Sequence, residues 1–210
     1  NALDFHYRIT DNNWRWSNNH HDWSPLVFPA LAGDYQIQNA AAVLQVVSLL
    51  IELGFIIDQT LIEQGLNNVV LAGRFQKVDG PIIHYFDVTH NVQGAENLVT
   101  LLETTPCEGR TIAVMAMLKD KDPSSVAKIL NTHITLWYVG GLTGSRGLSG
   151  VDLLQKIKPV ISDGSIYVEE SISKAYSAAI AEAKEGDRVL VFGSFHTVES
   201  VMLLLDIPKY

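Results

Sequence analysis

Residues 111–117 read Thr111-Ile112-Ala113-Val114-Met115-Ala116-Met117, and the chain then turns polar at Lys119-Asp120-Lys121-Asp122 before Pro123. A run this uniformly apolar suits a strand covered on both faces. Val189-Leu190-Val191 repeats the pattern, and Phe192-Gly193-Ser194 ends it. Between and before these two runs, strand-like and helix-like stretches alternate. Strands are predicted at Phe75–Val78, Ile82–Asp87, Thr111–Met117, Ile134–Val139, Ser165–Val168 and Arg188–Phe192. Helices are predicted at Gln93–Glu103, Pro123–Asn131, Ser149–Lys158, Ser171–Glu185 and Thr197–Leu205. Asp79-Gly80-Pro81 makes the first strand pair a hairpin. The rest is a βαβα series. It predicts an α/β fold with a mostly parallel six-stranded sheet and helices on both faces.

The first third of the chain has another character. Residues 1–29 alternate and carry aromatics, with Asn- and Asp-rich turns between them, which predicts a small antiparallel meander. Asn1 to Ile9 looks like the middle of a strand, so the chain is expected to begin inside a larger protein. Asn39–Leu53 is apolar nearly all round and is expected to be a buried helix ended by Gly54. Asp58 is placed to cap a second helix, Gln59–Asn67. The character changes at Leu71-Ala72-Gly73, so the domains are predicted as 1–70 and 71–210.

Composition narrows the function. The 210 residues hold 15 Lys plus Arg against 23 Asp plus Glu, a formal charge of −8. With no basic run, nucleic acid is a poor partner. One cysteine, Cys107, excludes a disulfide framework and a Cys-based metal centre. It suits a reducing cytoplasm. No apolar run is long enough to span a membrane. His20-His21 lies in an Asn-rich turn and is a poor metal site, and no metal-ligand set is assigned to this chain.

In an open parallel sheet, ligands bind beyond the carboxyl ends of the strands. The loops there read Asp87-Val88-Thr89-His90-Asn91, Leu118-Lys119-Asp120-Lys121-Asp122, Gly140 to Gly147 and Gly193-Ser194-Phe195-His196-Thr197. Asp87 alone reads as a helix cap, and so do Ser194 and Thr197. Asp87 and His90 together at a strand end point to a site. The Lys119–Asp122 run reads as a solvated charged loop. Gly140–Gly147 reads as a flexible loop, in which Arg146 has the reach and charge to meet a phosphate or carboxylate. Neither a P-loop nor a Gly-x-Gly-x-x-Gly turn is present, which disfavours a nicotinamide dehydrogenase despite the Rossmann-like alternation.

Five segments, in order, resemble the Mur ligase superfamily: Gly33 to Ala41, Ala72-Gly73-Arg74-Phe75-Gln76, Asp87 to Asn91, Lys119 to Asp122 and Val191 to Val198. The last two are similar to the folate branch, folylpolyglutamate synthase and dihydrofolate synthase. The resemblance implies a three-domain ATP-dependent ligase. Residues 1–70 would be the tail of the central ATPase domain, and residues 71–210 the Rossmann-like ligase domain. ATP and Mg2+ would be the cofactors. The metal ligands would lie in an N-terminal P-loop part, which would be this chain's partner within a monomeric enzyme. The substrates would be L-glutamate and either dihydropteroate or tetrahydrofolate, joined through an acyl phosphate. A piece without the P-loop is expected to be inactive alone.

The resemblance also implies roles. Arg74 would contact the ATP phosphates, and Asn39 and Asp87 would contact the nucleotide. His90 and Ser194 would place the incoming glutamate. Thr89, Val92 and Gly94 replace the Ala, Pro and Ala of the family's segment, and Gly94 is expected to cost about 1 kcal/mol of helix propensity against Ala. The alternatives are another Mur-type amino-acid ligase, or a stand-alone module that binds a nucleotide or an amino acid.

Overall fold

The computed structural model describes residues 5–162 and 165–207. The strand-like reading of Asn1–Asp4 lies outside them. The chain divides into two compact units, Asn1–Val70 and Leu71–Tyr210.

The first unit is a three-stranded antiparallel sheet, β1 (His6–Ile9), β2 (Trp14–Ser17) and β3 (Asp22–Leu26), followed by α1 (Tyr35–Glu52) and α2 (Gln59–Asn68). Trp14 and Trp16 alternate with Arg15, so both rings face inward and are fully buried. The Trp16 indole donates to the Ala41 carbonyl at 2.9 Å, which fixes the sheet on α1. Asp58 caps α2 by accepting from the Leu61 N–H at 2.9 Å, and Gly54 ends α1 at φ +97°.

Two details of α1 differ from expectation. It starts a turn earlier than Asn39, because Gln36 and Ile37 are already buried against the unit's core. It is also not buried all round: Val43 and Val46 are 60% and 55% exposed. Within its unit the helix packs only one face, through Ile37, Ala40, Ala41 and Leu44.

The second unit is a six-stranded sheet in the order β4-β5-β9-β6-β7-β8. Its strands are β4 (Gln76–Val78), β5 (Ile83–Asp87), β6 (Thr111–Met115), β7 (Leu136–Gly140), β8 (Ser165–Glu169) and β9 (Arg188–Phe192). Only β4 runs antiparallel, as the hairpin at the edge. The other five are parallel. β6 and β9 are buried at every residue. The helices are α3 (Val92–Thr104), α4 (Pro123–Leu130), α5 (Gly150–Ile157), α6 (Ile172–Glu182) and α7 (Phe195–Leu204). α3 packs on α4 and α4 on α5, while α6 packs on α7, giving a layer on each face of the sheet.

The strand order decides where a ligand can bind. The chain leaves β5 for β6, continues outward to β7 and β8, and returns to insert β9 between β5 and β6. The helices after β5 and β9 therefore belong to opposite layers, and a crevice opens between the carboxyl ends of these two strands.

Candidate active site

Four strand ends meet at this crevice. A cavity of about 210 Å³ there is lined by His90 after β5, Ser194 and His196 after β9, Lys121 after β6 and Arg146 after β7. Phe195 borders it and also borders a second cavity of about 400 Å³, lined by Leu71, Ala72, Arg74, Val88 and Val198.

The close approach of the chain at this rim depends on glycine. Gly193 sits at φ +121°, and a Cβ there would overlap the Ala116 carbonyl oxygen. Gly73 sits at φ +70°, and its Cβ would lie 2.8 Å from Val88 Cγ1. Only glycine adopts both the conformation and the contact without strain.

Arg74 stands on a built turn. The Val88 N–H donates to the Gly73 carbonyl at 2.8 Å. The Phe75 N–H donates to Asp87 Oδ2 at 2.9 Å, and the Thr89 N–H to Asp87 Oδ1 at 2.8 Å. Phe75 holds a left-handed φ of +49°, stacked on Tyr85 with ring centroids 4.5 Å apart. The Arg74 guanidinium is exposed and lies 5.8 Å from the Phe195 ring centroid. Asp87 is only 4% exposed. Burial pushes its carboxyl above the usual carboxylate range, against the hydrogen bonds from Thr89 and Phe75 and the charge of Arg74. It does not cap α3; Asn91 does, by accepting from the Gly94 N–H at 2.8 Å.

His90 and Ser194 have defined proton roles. His90 Nδ1 lies 2.8 Å from the Val88 carbonyl, which can only accept. In the neutral ring Nδ1 therefore carries the proton, and Nε2 is an acceptor. The Thr197 hydroxyl donates to the Ala116 carbonyl at 2.7 Å. Its one proton is thereby used, so the 2.7 Å contact between Ser194 Oγ and Thr197 Oγ1 has Ser194 as donor. Ser194 Oγ also caps α7 by accepting from the Thr197 N–H at 3.1 Å. α7 therefore begins at Phe195 rather than Thr197.

The opposite side of the cavity is cationic. Arg146 Nη2 lies 3.1 Å from Asp120 Oδ1, and Lys121 Nζ lies 3.2 Å from Asp120 Oδ2. Hydrogen bonds from Arg146 and Lys121 hold the Asp120 carboxyl below the usual range. The loop carrying Arg146 is not loose as expected. Gly147 bridges to Leu118, the Lys119 N–H donates to the Arg146 carbonyl at 2.8 Å, and the Leu148 N–H to the Met117 carbonyl at 3.1 Å.

The second unit thus brings Arg74, Asp87, His90 and Ser194 to one rim. Asn39 belongs to the first unit, exposed on α1, and donates to Gln36 Oε1 at 2.9 Å. Lys121 was hidden in sequence by the alternating charges around it. Its position after a central strand was the available signal. Among the described residues, no group of three or more His, Cys, Asp or Glu side chains is placed to hold a metal ion. Nor is any helix there long and apolar enough to cross a membrane.

Comparison with known proteins agrees with this architecture. Residues 73–195 match the family model described as Mur ligase, glutamate ligase domain. The dihydrofolate synthase/folylpolyglutamate synthase of Escherichia coli (strain K12) is 34% identical over 205 residues, covering 98% of this chain and 46% of that protein. The structure of E. coli FolC in complex with DHPP and ADP superposes with a TM-score of 0.80 at 35% identity, covering 98% of this chain and 46% of that one. A bifunctional folylpolyglutamate synthase/dihydrofolate synthase with Mn, AMPPNP and L-glutamate bound gives a TM-score of 0.79 at 30% identity, covering 98% of this chain and 47% of that one. This chain spans about half the length of the curated relatives it matches. It belongs to the Mur ligase family, and over nearly its whole length it is homologous to the C-terminal part of dihydrofolate synthase/folylpolyglutamate synthases.

Proposed function

We propose that this chain is the glutamate-ligase part of an ATP-dependent enzyme that joins L-glutamate to dihydropteroate, to tetrahydrofolate, or to both. The observation that carries the reading is the cavity at the β5/β9 crevice, where His90 and Ser194 face Lys121 and Arg146. It unites acceptors for an amine with cations for a carboxylate.

In the proposed reaction, a carboxylate oxygen of the pterin substrate attacks the γ-phosphorus of ATP, forming an acyl phosphate and releasing ADP. The glutamate amine then attacks the acyl carbon, the C–O bond to phosphate breaks, and inorganic phosphate leaves. The amine must lose its protons along this path. His90 Nε2, the free acceptor of a ring held by its other nitrogen, is suited to take one. Arg74 suits the phosphates, as an exposed, permanently charged fork on a braced turn. Asn39 and Asp87 keep the nucleotide-contact roles that their motifs suggest.

Among the relatives' structures, E. coli FolC holds ADP, and two of a bifunctional folylpolyglutamate synthase/dihydrofolate synthase hold AMPPNP with Mn. The resemblance puts the ligands of such a divalent ion in the P-loop part of the full-length protein, where the ion would offset the charge of the ATP phosphates. A P-loop segment of the same protein as partner, a monomeric state and a cytoplasmic location complete the proposal.

The test is ATP-dependent incorporation of labelled L-glutamate by the full-length protein. Arg74→Ala and His90→Ala are each expected to lower kcat/KM by roughly 100-fold. Ligation unchanged in both variants would contradict the proposal.

A further inference from the structure

Among the described residues, Phe195 alone is common to the linings of the two rim cavities, of about 210 Å³ and about 400 Å³. His90 and Ser194 border the first. Arg74 borders the second, with its guanidinium carbon 5.8 Å from the Phe195 ring centroid. The backbone fixes where the ring stands. Phe195 opens α7 straight after the Ser194 cap, and Gly193 before it lies too close to the Ala116 carbonyl for any side chain. Val198 and Met202 of the same helix are buried, yet Phe195 is 60% exposed. The ring therefore adds little to the core. It also brings no charge, no proton to transfer and no hydrogen-bonding atom to either cavity.

We infer that Phe195 is the cover that keeps water from the acyl phosphate. The inference rests on the ligase reading and adds to it the residue that ties ATP use to amide formation. In that reaction Arg74 takes the phosphate end, and His90 and Ser194 take the amine end. The acyl phosphate joins the two ends, and Phe195 is the side chain that borders both cavities. Two nucleophiles compete for the acyl carbon. When the glutamate amine attacks, the C–O bond to phosphate breaks and an amide forms. When a water oxygen attacks, the same bond breaks, and the products are the original carboxylate, inorganic phosphate and a proton. One ATP is then consumed without ligation. An apolar ring laid against the intermediate excludes that water and offers it no anchor. The exposure of the ring fits this role, since a side chain that covers a transient species is bare until the species forms.

The test is the ratio of inorganic phosphate released to amide formed by the full-length protein, with ATP, dihydropteroate or tetrahydrofolate, and saturating L-glutamate. Wild type should give a ratio of about one. Phe195→Ala should raise it by roughly twofold or more, while Phe195→Leu, which keeps an apolar cover, should stay close to wild type. A merely structural role would slow phosphate release and ligation together and leave the ratio where it was. Because the ring is exposed, both variants should melt at the wild-type temperature, which a thermal scan checks. An unmoved ratio in Phe195→Ala, a loss of phosphate release and amide in step, or a Leu variant as leaky as the Ala variant would overturn the inference while wild-type ligation left the function standing. A wild-type protein that ligates no glutamate would overturn both.

Discussion

Thr89 and Gly94 carry two of the departures from the family's segment, and the structure joins them. A Cβ on Gly94 would lie 2.9 Å from Thr89 Oγ1 and 3.2 Å from Thr89 Cγ2. Thr89 supports the buried Asp87 carboxylate through its N–H, and a Cβ at position 94 would also lie 3.1 Å from Asn91 Oδ1, the cap of α3. Propensity alone gives Gly94→Ala a gain of about 1 kcal/mol. The contact should cancel that gain. In a double-mutant cycle, Gly94→Ala should be neutral or destabilising with Thr89 present, and stabilising by about 0.5–1 kcal/mol in the Thr89→Ala background. Urea unfolding of the four proteins measures it, and equal effects in both backgrounds would separate the two residues. Much of the rim was legible at this scale. Asp87 and His90 could be named together because both stand at the carboxyl end of a strand, whereas Arg74, which precedes β4, and Ser194, which reads as a helix cap, could be named only through the resemblance. What Asp87 holds was not legible. Its partners are backbone N–H groups on a turn whose left-handed Phe75 no side-chain pattern reveals.

At the level of elements, the strands and helices of the second unit follow the alternation of the sequence, and β9 occupies the predicted residues. The order β5-β9-β6 does not follow from it. That order comes from tertiary pairing between runs of similar apolar character, and it is what makes Lys121 a rim residue. The opposite end of the sheet has its own fastening. Asp187, 4% exposed, accepts from the N–H groups of Arg110 at 2.7 Å and Lys184 at 2.9 Å, and from Arg110 Nη2 at 2.8 Å. Burial pushes its carboxyl up, but these bonds outweigh it and hold the group below the usual range. The folded protein thus binds this proton less readily than the unfolded chain. The stabilisation is complete above the unfolded pKa of about 3.9 and is lost as pH falls through the lower folded value. Asp187→Asn should cost roughly 1–3 kcal/mol at pH 7. The gap should close toward pH 3 and below in denaturant titrations, and a gap that persists there would contradict the assignment.

Across the whole molecule, each unit has its own core: a tryptophan-lined sheet and helix pair in Asn1–Val70, and a helix-covered parallel sheet in Leu71–Tyr210. The outward face of α1 shows why burial is harder to read than helicity. Val43, Val46 and Leu49 continue the apolar pattern, and the pattern alone does not say what packs on it. The central claim is chemical: a carboxylate is activated by phosphorylation before the glutamate amine attacks. The most direct measurement is oxygen transfer in the full-length protein, using dihydropteroate labelled with 18O in its carboxylate together with ATP and L-glutamate. An acyl phosphate requires one labelled oxygen to leave in inorganic phosphate for each amide formed, alongside one ADP. Phosphate free of label, or AMP in place of ADP, would contradict the account.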